Sequence, residues 1–227
     1  MISLLEAVKT RHAVRSYTDR KIEGDVLEQL MKTIGECNRE SGLNIQLCLN
    51  EPGAFTGMMA RYGRFENVRN YIALVGKKSR DFEEKCGYYG QKIALSAAQL
   101  GLHTCWVALS YRKGKSAAVV KRGEKLLMVI AVGYGSDSGK PHKGKTVEKL
   151  CRMDRALPDW FIKGVQAVQL APTAMNQQKF YFELEGSKVR ASAGTGFYTK
   201  TDLGIAKYHF EIGAESGDWE WESENVF

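Results

Sequence analysis

Two apolar runs, LLMVIAVG at 126–133 and YIALVG at 71–76, constrain the fold most, because neither contains a charged residue. A strand with one wet face alternates apolar and polar residues, whereas an unbroken apolar run of this length reads as a strand buried on both faces. The chain therefore has to cover a sheet on two sides. Helical patterns are interleaved with the strands. Ser3 followed three residues later by Glu6 has the form of a capping box and predicts a short helix to about Thr10. Val26, Leu27, Leu30, Met31 and Ile34 recur on one face and predict a helix from Asp25 to about Arg39. Cys86, Tyr89, Ile93, Ala97 and Leu100 do the same up to Gly101, a C-cap position.

The remaining segments complete an alternation of helices and strands of the α/β or α+β kind. NIQLCLN alternates Ile45, Leu47 and Leu49 as a strand would, and TCWVAL (104–109) predicts another. Residues 50–70 are Gly-rich and irregular, and GYGSDSGKPHKGK (133–145) reads as loop. Pro158 suits the first residue of a helix running through DWFIKGVQAVQLA. KFYFEL (179–184) and KVRASA (188–193) predict a hairpin around Glu185-Gly186, followed by a helix over 202–214 and a short strand in DWEWE.

One order of elements occurs twice. Helix, Asn-bearing turn and strand appear at 26–49 and again at 159–184, where Asn44 can be laid over Asn176. A helix running into a Trp-bearing strand appears at 87–108 and again at 202–222. This predicts two related lobes, 1–152 and a shortened copy at 153–227, arranged like a two-fold dimer with a ligand in the seam. Charge is divided the same way. Residues 1–152 carry 26 basic and 15 acidic groups, whereas residues 153–227 carry 7 and 11. The first lobe invites an anion, which a phosphorylated cofactor, a nucleic acid or an acidic surface could supply.

Several classes are disfavoured. No apolar run approaches the roughly 20 residues of a membrane span, and Glu6 and Lys9 interrupt the N-terminal stretch where a signal peptide needs an apolar core. Five scattered cysteines without a C-x-x-C pair give neither a disulfide framework nor a zinc site, so a reducing cytoplasm is expected. The four histidines lack metal-binding spacing, and no metal is expected. Gly133, Gly135 and Gly139 have the wrong spacing for a dinucleotide fingerprint. Cys105 and the four tryptophans read as packing residues.

Two segments stand out chemically. In RHAVRSY (11–17), Arg11, His12 and Arg15 crowd a loop between two helices, and guanidiniums so spaced can converge on one phosphate. In APTAMNQQ (171–178), small residues leave the backbone reachable while Asn176 and Gln177 offer amides able to donate and accept, as a planar heterocycle requires. An ordinary basic turn and an ordinary strand entry are the plainer alternatives.

Together with GLHTCWVALS (101–110), these segments resemble the nitroreductase family of flavin enzymes, whose members carry R-R/H-S/A-x-R-x-F/Y, A-P-S-x-x-N-x-Q and G-L-x-T-C-W in comparable places. The resemblance spans nearly the whole chain. It implies an α+β fold with a central, mainly antiparallel sheet flanked by helices. Family members are usually homodimers that bind flavin mononucleotide (FMN) at the interface, with the Arg-rich loop from one subunit and the A-P-S turn from the other. Here the turn is absent after the second helix, which runs into NRESGLNIQ, and occurs in the second lobe instead. The chain thus resembles a two-lobed, dimer-mimicking branch, with one complete site per monomer.

Carried over residue by residue, the resemblance implies that Arg11, His12, Ala13 and Arg15 hold the phosphate and ribityl chain, with Lys143 and Lys145 approaching the phosphate. Pro172, Thr173, Ala174, Asn176 and Gln177 would lie against the ring. Val107, Ala108 and Leu109 match the stretch beside the reactive nitrogen, where the family often has Gly. No residue is singled out as a general acid or base, because the flavin carries the redox chemistry. The implied activity is hydride transfer from NADH or NADPH through FMN to a small acceptor such as a nitroaromatic or quinone. The alternatives are a non-catalytic flavin- or nucleotide-binding module and a nucleic-acid binder using the basic lobe. The last lacks a recognition helix or RNA-binding aromatic motif, so no nucleic-acid or membrane partner is expected.

Overall fold

The computed structural model describes residues 2–215 and 218–222. Its main sheet has four antiparallel strands: β1 (Gln46–Cys48), β2 (Tyr71–Lys77), β3 (His103–Val107) and β4 (Glu124–Gly133), in the order β1-β2-β4-β3. The two apolar runs are the two central strands, and both faces of each are buried. On one face, α2 (Gly24–Ser41) and α4 (Phe82–Gln99) bring Leu30, Ile34, Ile93 and Ala97 onto Ile72, Leu74, Ile130 and Val132. The other face is covered by irregular chain. Val14, Tyr17, Phe55, Ala60 and Tyr111 pack on Ala73, Val75, Val129 and Ala131. The Gly-rich segment at 50–66, with its short helix α3 (Met58–Tyr62), is thus a structural cover. A short helix α1 (Leu4–Thr10), capped by the Ser3 hydroxyl on the Glu6 N–H at 3.1 Å, precedes it all.

The second sheet is smaller. β5 (Phe180–Glu185) and β6 (Lys188–Ala193) form the expected hairpin, with Gly186 at φ +61 in the turn, a conformation glycine adopts without a Cβ penalty. β7 (Glu220–Trp221) pairs parallel to β6. Helices α5 (Asp159–Val168) and α6 (Thr199–Ala214) pack on it through Phe161, Val165 and Phe210, the last stacked on Phe182 of β5. Leu150 and Cys151, from the connecting strap, pack in this second cluster as well. The chain order α2-β1-α3-β2-α4-β3 is similar to α5-β5-β6-α6-β7, but β7 lies parallel beside β6 whereas β3 lies antiparallel beside β4.

The details correct the sequence reading in four places. Pro158 is the residue before α5 and caps it, and α6 begins three residues earlier than its apolar pattern suggested. β3 ends at Val107, leaving Ala108 and Leu109 beyond the ladder. Asn44 and Asn176 do not play equivalent parts. Asn44 donates to Glu124 across the sheet, whereas Asn176 sits at φ +54 and donates to the Lys143 carbonyl.

Helix α6 crosses α4 at backbone contact. A Cβ on Gly87 would lie 2.0 Å from the Thr201 carbonyl oxygen, and one on Gly204 would lie 2.0 Å from that of Glu84. Two glycines facing each other's helix are what permit this approach. Near the same crossing, buried Lys207 of α6 pairs with Glu84 of α4 at 2.5 Å.

Candidate functional site

The end of β3 and the start of α6 face each other across a cavity of about 520 Å3, within the roughly 300–1,000 Å3 that small-molecule sites occupy. Residues distant in sequence meet there. Arg15, Val107, Ala108 and Leu109 come from the first part of the chain, and Pro172, Thr173, Ala174 and Gln177 come from the second. Eight of the positions singled out in the sequence thus line one space within one chain.

The remaining positions are placed elsewhere. Arg11, His12 and Ala13 lie beside β3, where Ala13 bridges to Thr104. Arg11 is 7% exposed, and its Nε and Nη1 have no hydrogen-bond partner. Burial pulls its guanidinium down to about 10, an unusual strain on a group that is normally charged at any accessible pH. His12 is also lowered, first by burial and then by the charges of Arg11 and His142. The loop bearing His142 is pressed against this cluster, since a Cβ on Gly139 would meet the Ala13 carbonyl at 2.9 Å. Lys143, Lys145 and Asn176 do not line the cavity. The Lys145 ammonium donates to the Gln178 carbonyl at 2.7 Å, and the Asn176 amide donates to the Lys143 carbonyl at 2.9 Å. These contacts tie loop 133–145 to the turn at 172–178.

Two residues that shape the cavity carried no sequence signal. Asp202, 2% exposed in the first turn of α6, accepts the Ala174 N–H at Oδ1 (3.0 Å) and the Gln177 amide at Oδ2 (2.8 Å). Gln177 also donates to the Phe197 carbonyl at 2.8 Å. Its amide nitrogen is therefore a brace for the turn. Burial raises the Asp202 carboxyl to about 6, against the two hydrogen bonds that favour its charged form. Next to it, Thr201 lines the cavity, and its buried hydroxyl has no hydrogen-bond partner.

Trp106, read from the sequence as a packing residue, forms part of the wall. Its indole N–H donates to Gln91 Oε1 at 3.0 Å, and the Gln91 amide lies 2.8 Å from His209 Nε2. His209 Nδ1 lies 2.9 Å from the Ala167 carbonyl, which can only accept. Nδ1 therefore carries the proton, and Nε2 accepts from Gln91. Burial lowers His209 to about 3, so the ring is neutral and the chain of bonds is complete. This buried thread connects β3, α4, α6 and α5 directly behind the cavity wall.

An α+β fold with an antiparallel sheet, covered as described, and a cavity shared by the arginine loop and the A-P-T turn define a nitroreductase-type protein. A family model described as "Putative TM nitroreductase" matches residues 3–214, and the chain belongs to this family. Solved structures agree on the fold. A Thermotoga maritima protein, described as "a putative nitroreductase", is 20% identical with a TM-score of 0.66, covering 93% of this chain and 83% of its own. A nitroreductase structure in complex with FMN from Desulfovibrio desulfuricans is 14% identical with a TM-score of 0.53, over 70% of this chain and 99% of that one. A Parabacteroides distasonis protein, described as "Putative NADH dehydrogenase/NAD(P)H nitroreductase", is 22% identical with a TM-score of 0.51, over 69% and 100%. No protein of curated function matches the sequence.

Proposed function

We propose that this chain binds FMN and uses it to transfer a hydride from NADH or NADPH to a small acceptor such as a nitroaromatic or quinone. The observation that carries the reading is the Arg11 guanidinium, buried with Nε and Nη1 unpartnered in the loop that also carries His12 and Arg15. An isolated buried charge is costly, and an oxyanion accepting from those nitrogens removes the cost through charge-assisted bonds. A phosphate is such an oxyanion, and the cavity lined by Arg15 of the same loop, apolar with a few converging polar atoms, suits a planar ring. The related structure containing FMN supports the same cofactor.

In this reading Arg11 and His12 hold the phosphate, and Arg15, from the same loop, lines the ring cavity. Pro172, Thr173 and Ala174 present the backbone of the turn to the ring, and Asp202 and Gln177 keep the turn in place. Trp106 and Met128 close the apolar wall and exclude water. When bound, FMN would supply the electron-accepting and electron-donating chemistry, and the protein supplies orientation, electrostatics and access.

We also propose that residues 1–152 and 153–227 act as two lobes related like the halves of a dimer, with the strap at 147–151 lying against the second. Each lobe supplies one side of the cavity, so a monomer suffices. All five cysteines are free and buried, which supports a cytoplasmic setting.

The visible absorption spectrum of the purified protein, before and after FMN and then anaerobic NADPH or NADH, tests the function. The expected result is a bound oxidised-flavin spectrum that bleaches with nicotinamide. A protein that binds FMN without bleaching is a flavin-binding module, and one that refuses FMN refutes the reading.

A further inference from the structure

A second cavity of about 460 Å3 adjoins the first and shares Arg15, Trp106, Val107, Ala108 and Ser110 with it. Its other walls are Tyr62, Gly63, Arg64 and Phe65, from the segment that covers the main sheet. Two stretches of backbone run side by side here. Ser16 and Glu66 form a parallel bridge, the Glu66 N–H donates to the Arg15 carbonyl at 3.0 Å, and the Tyr17 N–H donates to that of Glu66 at 3.2 Å. Arg15 and Arg64 therefore leave adjoining backbone and line the same space.

Neither arginine has a carboxylate within 4.0 Å among the described residues. Glu66, the acidic residue closest to them along these strands, accepts instead from the Ser16 hydroxyl at 3.1 Å. Arg64 is held at φ +55, a conformation uncommon for a residue with a side chain. The fit around it is tight, because a Cβ on Gly63 would lie 2.5 Å from Ser110 and 2.8 Å from the Phe65 ring. The rim is apolar yet wet. Tyr62, on the wall of this cavity, is 85% exposed, and Leu109, on the wall of the adjoining cavity, is 68% exposed. The Tyr62 and Phe65 rings in one cavity with two guanidiniums that lack a carboxylate partner suit a ligand with a flat apolar body and a negative end.

We propose that this second cavity binds the anionic group of a planar aromatic reaction partner, with Arg15 and Arg64 as its ligands and Tyr62 and Phe65 against its apolar part. The proposal rests on the flavin reading for what lies in the first cavity, and the anion site itself is independent of it. A guanidinium pair offers N–H donors to a carboxylate or a phosphate alike. The shared chemistry is thus an oxyanion on a ligand that also carries an aromatic ring, and it has two sources. One is the additional phosphate that distinguishes NADPH from NADH, and the other is a carboxylate on the acceptor.

Titration calorimetry of the whole protein, with and without added FMN, uses para-nitrobenzoate and its neutral counterpart para-nitrobenzamide as probes. The parent is expected to bind the benzoate more tightly. Arg64→Gln is expected to weaken the benzoate about five- to tenfold, as for one partly solvated charge-assisted contact, and to leave the amide and FMN unchanged. Arg64→Lys, which keeps the charge, should recover part of the loss. A parent without preference for the benzoate, or a variant that weakens both probes equally, overturns the proposal. If FMN does not bind while the benzoate still depends on Arg64, the flavin reading fails and the anion site stands. Loss of a preference for NADPH over NADH in Arg64→Gln assigns the phosphate, and an unchanged preference assigns the acceptor carboxylate.

Discussion

Asp202→Asn separates the cost of a buried charge from the hydrogen bonds that the charge makes. The carboxyl is 2% exposed and raised from 3.8 to about 6, because burial outweighs the bonds from Ala174 and Gln177. The sign follows from proton binding. Between those two values the folded protein holds a proton that the unfolded chain has released, so stability falls as pH rises through this window and levels off above it. For a shift of this size, the loss attributable to Asp202 between pH 4.5 and pH 7.5 is about 2 kcal/mol, or a melting shift of about 4–8 °C for a chain this long. Asn has the same shape and does not ionise, so that pH-dependent loss disappears. Asn cannot accept at both positions, however, and one of the two bonds is lost at every pH, at a cost of about 1 kcal/mol. Variant and parent should therefore melt further apart in favour of the variant at pH 7.5 than at pH 4.5. Thermal unfolding of both proteins in FMN-free buffer at the two pH values gives the double difference, in which other titrating groups cancel. Identical pH dependence in the two proteins would refute the reasoning and place the Asp202 carboxyl in contact with water.

Two further substitutions examine the cofactor cluster and the helix crossing. Arg11→Met should act in opposite directions on stability and binding. Removing an unpartnered buried cation is expected to raise the melting temperature of the FMN-free protein, while fluorescence titration shows FMN affinity about 10- to 100-fold lower. A variant with unaltered FMN affinity would show that Arg11 serves only packing. Gly204→Ala places a Cβ 2.0 Å from the Glu84 carbonyl and 2.7 Å from the Tyr88 nitrogen, both backbone atoms that cannot turn aside. Urea unfolding should show a loss of about 3 kcal/mol, at the upper end for overpacking, and a loss under about 0.5 kcal/mol would mean that the helices are not in backbone contact.

Much of the architecture was legible because it depends on local pattern. The central strands announce themselves as apolar runs with no wet face, and the hairpin at 180–193 is set by alternation around a glycine turn. The succession of helices and strands could be read as well, although the parts played by individual residues could not. Asn44 and Asn176 differ in backbone conformation, since each adapts to its own neighbours. Helix α6 was partly hidden for a related reason. Asp202, Lys207 and His209 look like solvated positions, yet each is buried. Their partners, Ala174, Gln177, Glu84, Gln91 and Ala167, come from other elements, and no window on the sequence contains them.

The sequence by itself determined which residue types cluster: two arginines and a histidine in one loop, and small and amide residues in one turn. Only the tertiary structure decided how they divide the work. Arg11 and Arg15, four residues apart, are sent to different places, one buried behind β3 and the other open to two cavities. Gln177, chemically suited to a ligand, is turned onto Asp202. The physical reason is that a side chain's hydrogen-bonding capacity is an intrinsic property, whereas the partner that uses it is fixed by contacts between segments far apart in the chain. Burial, charge and function at this site are set by those contacts.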